Sequence, residues 1–162
     1  MVGSMAGLGL AVIGAAIATV LPCIGSAIGV GLVGQAASPV VEEDPEKFGK
    51  LLILEALPGT QGVYGFLAAA LMLIQLGLLT GAPKMIDEAT GGAFLLASLP
   101  VALAGLVSAY IQAKVAVAGV SIIDKKPDEM GKAITMAAMV ETYAILGLLI
   151  TILMVLNIPI SA

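Results

Sequence analysis

Glu141 lies inside the apolar run MAAMVETYAILGLLITILMVL, which is long enough to cross a bilayer. A carboxylate at that depth costs at least ~2.5–3.5 kcal/mol on insertion scales, so it reads first as a functional group. A second apolar stretch carries Leu57-Pro58-Gly59-Thr60-Gln61-Gly62-Val63-Tyr64, and a third carries Gln112. Counted at 1.5 Å per residue, Glu141 is about 21 Å past Pro127, Thr60 and Gln61 are about 23 Å past Pro45, and Gln112 is about 18 Å before Asp124. Leu57, Thr60, Gln61 and Tyr64 follow i, i+3, i+4, i+7 and share one helix face. A carboxylate, two amides, a hydroxyl and a phenol therefore come to one level.

Five oxygen-bearing groups exceed what a proton carrier needs, since a carboxyl in apolar surroundings suffices for that. Hard cations take oxygen cages. One carboxylate with neutral oxygens balances a monovalent cation, which favours Na⁺ over Ca²⁺ or Mg²⁺ and leaves H⁺ as the competitor. The blander reading of Thr60 and Gln112 is interhelical hydrogen bonding, at ~1 kcal/mol each. It does not account for Glu141. Pro58 cannot donate to the Leu54 carbonyl, so local geometry frees that oxygen, although the Leu57 carbonyl points nearer the polar cluster.

The groups need long apolar helices to hold them. Hydrophobic residues make up 60% of the chain and charged residues 11%, against roughly 25% charged in soluble domains. All 7 basic residues are lysines, so no arginine-rich surface for nucleic acid exists. Cys23 has apolar neighbours and reads as a small core residue, not a reactive thiol. The first segment lacks a positive flank, which argues against a cleaved signal peptide. Polar breaks leave four apolar segments, 5–39, 46–80, 91–123 and 130–158. Pro and Gly in the breaks predict helix ends there.

The chain repeats with an offset of 82 residues: Ser26 falls on Ser108, Pro45 on Pro127, Thr60 on Thr142 and Gly65 on Gly147. Glu141 falls on Gly59, so one copy carries the carboxylate. This predicts an all-α membrane protein of four transmembrane helices, made from a duplicated two-helix hairpin with halves 1–80 and 81–162. Lysine counting puts Lys47, Lys50, Lys125, Lys126 and Lys132 on one side and Lys84 on the other. The hairpin loops are then cytoplasmic and both termini outside, in a cell membrane.

Gly29-Val-Gly31-Leu-Val-Gly34 matches G-x-G-x-x-G, but without a preceding strand it is no dinucleotide site. Small residues crowd the first and third helices, which suits an inner layer of a homo-oligomeric ring with the second and fourth helices outside. Glu55 and Lys114 are further charges, each about 15 Å from its loop. A Glu55–Lys114 ion pair is the expectation, in preference to a second ion site.

Leu57-Pro-Gly-Thr-Gln-Gly-Val-Tyr-Gly65, Gln112 in IQAKVAVAG and Met139-Val-Glu-Thr-Tyr-Ala-Ile-Leu-Gly147 resemble the proteolipid rotor-ring (K or c) subunits of V-type ATPases, above all the sodium-translocating bacterial kind. The resemblance implies that the Leu57 carbonyl, Thr60, Gln61, Gln112 and Glu141 hold Na⁺, with Tyr64 hydrogen-bonded to the carboxylate. It also implies a non-catalytic subunit in a ring of identical copies, whose rotation couples ion passage to ATP hydrolysis elsewhere. The positive group that displaces the ion then comes from a stator membrane subunit, and central-stalk subunits meet the loops at 39–50 and 124–132. The alternatives are an H⁺-carrying ring and a stand-alone ion channel or transporter.

Overall fold

The computed structural model describes residues 4–160 and is helical apart from its connections. Residues 1–3 and 161–162, the outermost residues of the two expected halves and of both termini, lie outside it. Helix α1 runs Met5–Glu43, α2 Phe48–Ala56, α3 Thr60–Gln75, α4 Glu88–Lys125 and α5 Met130–Leu156. A 3₁₀ turn, Leu57–Gly59, joins α2 to α3, so the two form one span. The described residues thus contain four helical spans long and apolar enough to cross a membrane. The 39 residues of α1 extend about 58 Å, well beyond a hydrocarbon core of ~30 Å.

Three expected boundaries move. α1 does not stop at Pro39 but continues to Glu43. A proline forfeits a single hydrogen bond, and the ladder resumes at once, with the Asp44 N–H on the Val40 carbonyl at 2.9 Å. α3 ends at Gln75, short of residue 80, because Gly77 adopts φ +74°. Its N–H donates to Ile74 and that of Leu78 to Leu73, each at 3.0 Å, the paired bonds that close a helix around a left-handed glycine. α5 ends at Leu156, with the Asn157 N–H turned back to Met154.

The most extensive contact is between α1 and α4, and small residues permit it. A Cβ on Gly25 would lie 2.6 Å from the Leu106 carbonyl, and one on Gly29 2.7 Å from Pro58 Cβ and 3.1 Å from the Ala109 carbonyl. Gly31, grouped with Gly29 by sequence, meets nothing within 4 Å and is exposed. The glycine string therefore has two faces, one used inside the chain and one not.

The hairpins lie side by side in the same sense. Lys47 Nζ bonds Asp124 Oδ1 at 3.0 Å and Lys50 Nζ donates to the Pro127 carbonyl at 3.2 Å, tying the two hairpin loops at one end. At the other end the Ser4 N–H donates to the Ile86 carbonyl at 3.0 Å. Asp87 caps α4 there, its Oδ1 accepting the Thr90 N–H at 2.8 Å. That bond holds the Asp87 carboxyl below the usual carboxylate range.

Candidate ion-binding site

The site is built where the second span breaks. Pro58 has no N–H to offer Leu54, and its ring is buried against Gly29. The backbone answers by tightening to a 3₁₀ turn, and the oxygen drawn into the polar cluster is that of Leu57, not Leu54. The Leu57 carbonyl accepts the backbone N–H of Thr60 and, at 2.9 Å, its hydroxyl.

The break makes Thr60 the first residue of a new helix, α3, whose early N–H groups have no partners in their own helix. Another helix supplies one. Ser26 of α1 is buried, and its Oγ accepts the Gly62 N–H at 2.9 Å. It serves as the N-cap that the Leu57–Gly59 turn does not provide. A Cβ on Gly62 would lie 3.3 Å from this oxygen, so glycine keeps the approach open. Sequence reasoning noted Ser26 as half of the Ser26/Ser108 repeat but gave it no role. The signal was there: a serine on the neighbouring helix opposite a broken one. In the second half Val140 stands where Pro58 is, α5 is unbroken, and Ser108 bonds its own helix at Gly105.

All six residues singled out by sequence meet in one network. The Thr60 hydroxyl is 3.4 Å from Gln61 Oε1. Gln61 Nε2 donates to Gln112 Oε1 at 2.5 Å, across from α3 to α4. Gln112 Nε2 donates to Glu141 Oε2 at 3.5 Å, across from α4 to α5. The Tyr64 hydroxyl donates a short hydrogen bond to Glu141 Oε1. Gln61 and Gln112 are fully buried, while Thr60, Tyr64 and Glu141 are half-buried. Glu141 thus stands at the edge of the cluster, between exposed Met139 and Tyr143 on α5. The arrangement offers several neutral oxygens and one negative charge, with tyrosine and amide donors steadying the carboxylate. That is a donor set for a monovalent cation or a proton.

The expected Glu55–Lys114 pair does not form within the chain. Glu55 packs on Gly34 of α1, and Lys114 lies over the Tyr110 ring at 4.4 Å. Depth along the axis had matched the two, but they sit on different faces of the bundle.

The family model for the C subunit of ATP synthase matches residues 13–72 and again 95–154, repeating the 82-residue offset seen within the sequence. The chain belongs to that family. It is 51% identical over 151 residues to the K subunit of the V-type sodium ATPase of Enterococcus hirae, covering 93% of both chains. It is 38% identical to the K subunit of the A-type ATP synthase of Methanocaldococcus jannaschii over 92% of this chain and 63% of that one. The ATP synthase c subunit of Clostridium novyi is 38% identical over 73 residues, 43% of this chain but 86% of its own length. A relative that fits about one hairpin agrees with an origin by duplication. With its four spans, this member of the family is a multi-pass membrane protein.

Proposed function

We propose that the chain is a rotor-ring subunit of a V-type rotary ATPase that carries one Na⁺ at Glu141, coupling ring rotation to ATP hydrolysis in other subunits. The observation that carries this is the single hydrogen-bonded network joining Leu57, Thr60, Gln61 and Tyr64 to Gln112 and Glu141. The identity with the K subunit of a sodium ATPase supports the choice of ion. Half 1–80 supplies Leu57, Thr60, Gln61 and Tyr64, and half 81–162 supplies Gln112 and the charge.

Each residue has a physical task. The Leu57 carbonyl, the Thr60 hydroxyl and the amide oxygens of Gln61 and Gln112 replace the water that Na⁺ sheds on leaving solution. Glu141 cancels its charge, which a low-dielectric surrounding demands. Tyr64 holds the carboxylate in line by hydrogen bonding. Among the described residues no three His, Cys, Asp or Glu side chains converge so that they could hold a metal ion, and one carboxylate suits a monovalent ion better than a divalent one.

Position supports transfer as well as binding. Glu141 sits at the margin of the network, within reach of a partner approaching α5. The chain has no arginine, so the positive group that releases the ion comes from a stator subunit. The protein itself is non-catalytic. Both hairpin loops, tied by Lys47–Asp124, face the cytoplasm and meet the central stalk, and both termini face outside. Each charge crossing a membrane is worth ~2.3 kcal/mol per 100 mV, so one ATP can drive several.

The experiment is carbodiimide labelling of the purified protein. The reagent attacks protonated carboxyls in apolar surroundings and should modify Glu141, with Na⁺ protecting it. Labelling of Glu141 that ignores Na⁺ would assign the ring to protons.

A further inference from the structure

Glu55 and Lys114 lie inside the membrane-crossing spans yet take no part in the network around Glu141. Among the described residues the ion pairs are Lys47–Asp44, Lys47–Asp124, Lys50–Asp128 and Lys132–Glu129, all at the hairpin-loop end. Neither Glu55 nor Lys114 is in one. Tyr110 holds the Lys114 ammonium by its ring face, which orients it but supplies no counter-charge. An unpaired charge at this depth is costly, and intramembrane acids and bases characteristically pair with one another.

The two sit at similar height. Gly119 packs on Leu54, and Gly29 touches both Pro58 and Ala113. Leu54 is thus level with Gly119 and Pro58 with Ala113, which brings Glu55 and Lys114 within about one turn, ~5.4 Å, of each other along the axis.

They sit on opposite flanks. Glu55 lines a groove formed by α1 and α2, with Gly34, Ser38 and Leu52 among its walls and nothing from α4 or α5. Lys114 lines a groove formed by α4 and α5, with Ile111, Ala118 and Met136 among its walls and nothing from α1, α2 or α3. The α1–α4 contact lies between the grooves. A closed ring of identical chains uses a head-to-tail interface, in which two different flanks meet. The α1–α2 flank of one copy then abuts the α4–α5 flank of the next. One flank presents a carboxylate and the other an ammonium, at one level.

We infer that Glu55 of one copy and Lys114 of the adjacent copy form an ion pair across each boundary of the ring. The inference rests on the ring reading above. Such a pair fixes which flank meets which and at what height, because like charges would otherwise be apposed.

The test uses the whole chain in rings purified from membranes. In a Cys23→Ala background, Glu55→Cys and Lys114→Cys are introduced singly and together, and a short bis-maleimide is added. The double variant should give a ladder of covalently linked chains and the single variants none. Linkage within one chain, or none in an intact ring, overturns the pairing. Separately, Glu55→Lys should lower ring recovery by roughly tenfold, and Glu55→Lys with Lys114→Glu should restore it. A double reversal as poor as the single also overturns it. Sodium protection of Glu141 is read in the same preparations. If the unaltered chain makes no ring, the rotor reading fails and the pairing with it. If the ring forms and Na⁺ protects Glu141 but no chains are linked, the pairing alone fails.

Discussion

Ser26 Oγ accepts the backbone N–H of Gly62 at 2.9 Å, so a side chain on α1 caps the helix that carries three of the six network residues. Replacing Ser26 by alanine leaves a buried N–H without a partner, at a cost of about 1–3 kcal/mol. The turn holding Leu57, Thr60 and Gln61 loosens. Ser26→Ala should raise the Na⁺ concentration for half-maximal ATPase activity about tenfold, equivalent to ~1.4 kcal/mol. Ser108→Ala, its repeat counterpart, caps nothing and should leave that concentration unchanged. Equal responses of the two variants, measured in reconstituted vesicles, would remove the positioning role.

Within the network, charge and neutral oxygens should separate in their effects. Glu141→Gln leaves the ion's charge uncompensated and should abolish Na⁺-stimulated ATPase activity. Gln112→Ala or Thr60→Ala removes one neutral oxygen and should raise the half-saturating Na⁺ by about tenfold or less while activity at saturation persists. An unchanged half-saturation in Gln112→Ala would reduce that amide to interhelical bonding.

Gly29 and Gly31 should behave differently although they are two residues apart. Leucine at Gly29 would collide with Pro58 and the Ala109 backbone, so the folded chain itself should weaken by about 1–3 kcal/mol. Leucine at Gly31 meets open space within the chain. Its effect should appear in ring recovery with helix melting unchanged. Circular dichroism melts and gel filtration of both variants distinguish the two outcomes.

Acid should loosen the start of α4. The Thr90 N–H lowers the folded-state value of Asp87 below its ordinary 3.8. Its stabilising contribution is therefore full above that ordinary value and is lost as pH falls through the folded one. Asp87→Asn should flatten the acid dependence of local opening near Thr90, followed by NMR. An unaltered acid profile would discount the cap.

Much of the site was legible because helical rise converts residue number into depth. Glu141, Gln112, Thr60 and Gln61 could be placed at one level by counting, and Tyr64 by its spacing from Leu57. Counting does not give azimuth across a whole bundle. Glu55 and Lys114 match in depth but face opposite flanks, and only packing reveals that. Proline was also over-read as punctuation: α1 absorbs Pro39, whereas Pro58, followed by glycine and pressed on α1, breaks its span. The repeat marks Ser26, but its role stayed hidden because its partner is a backbone N–H on another helix, which only packing brings opposite it.

The most direct test of the central claim is equilibrium Na⁺ binding to the isolated ring as a function of pH. One Na⁺ should bind per chain, more weakly as protons compete for the same carboxyl, and the Glu141→Gln ring should bind none. Absence of Na⁺ binding at any pH, or binding that survives Glu141→Gln, would contradict that claim.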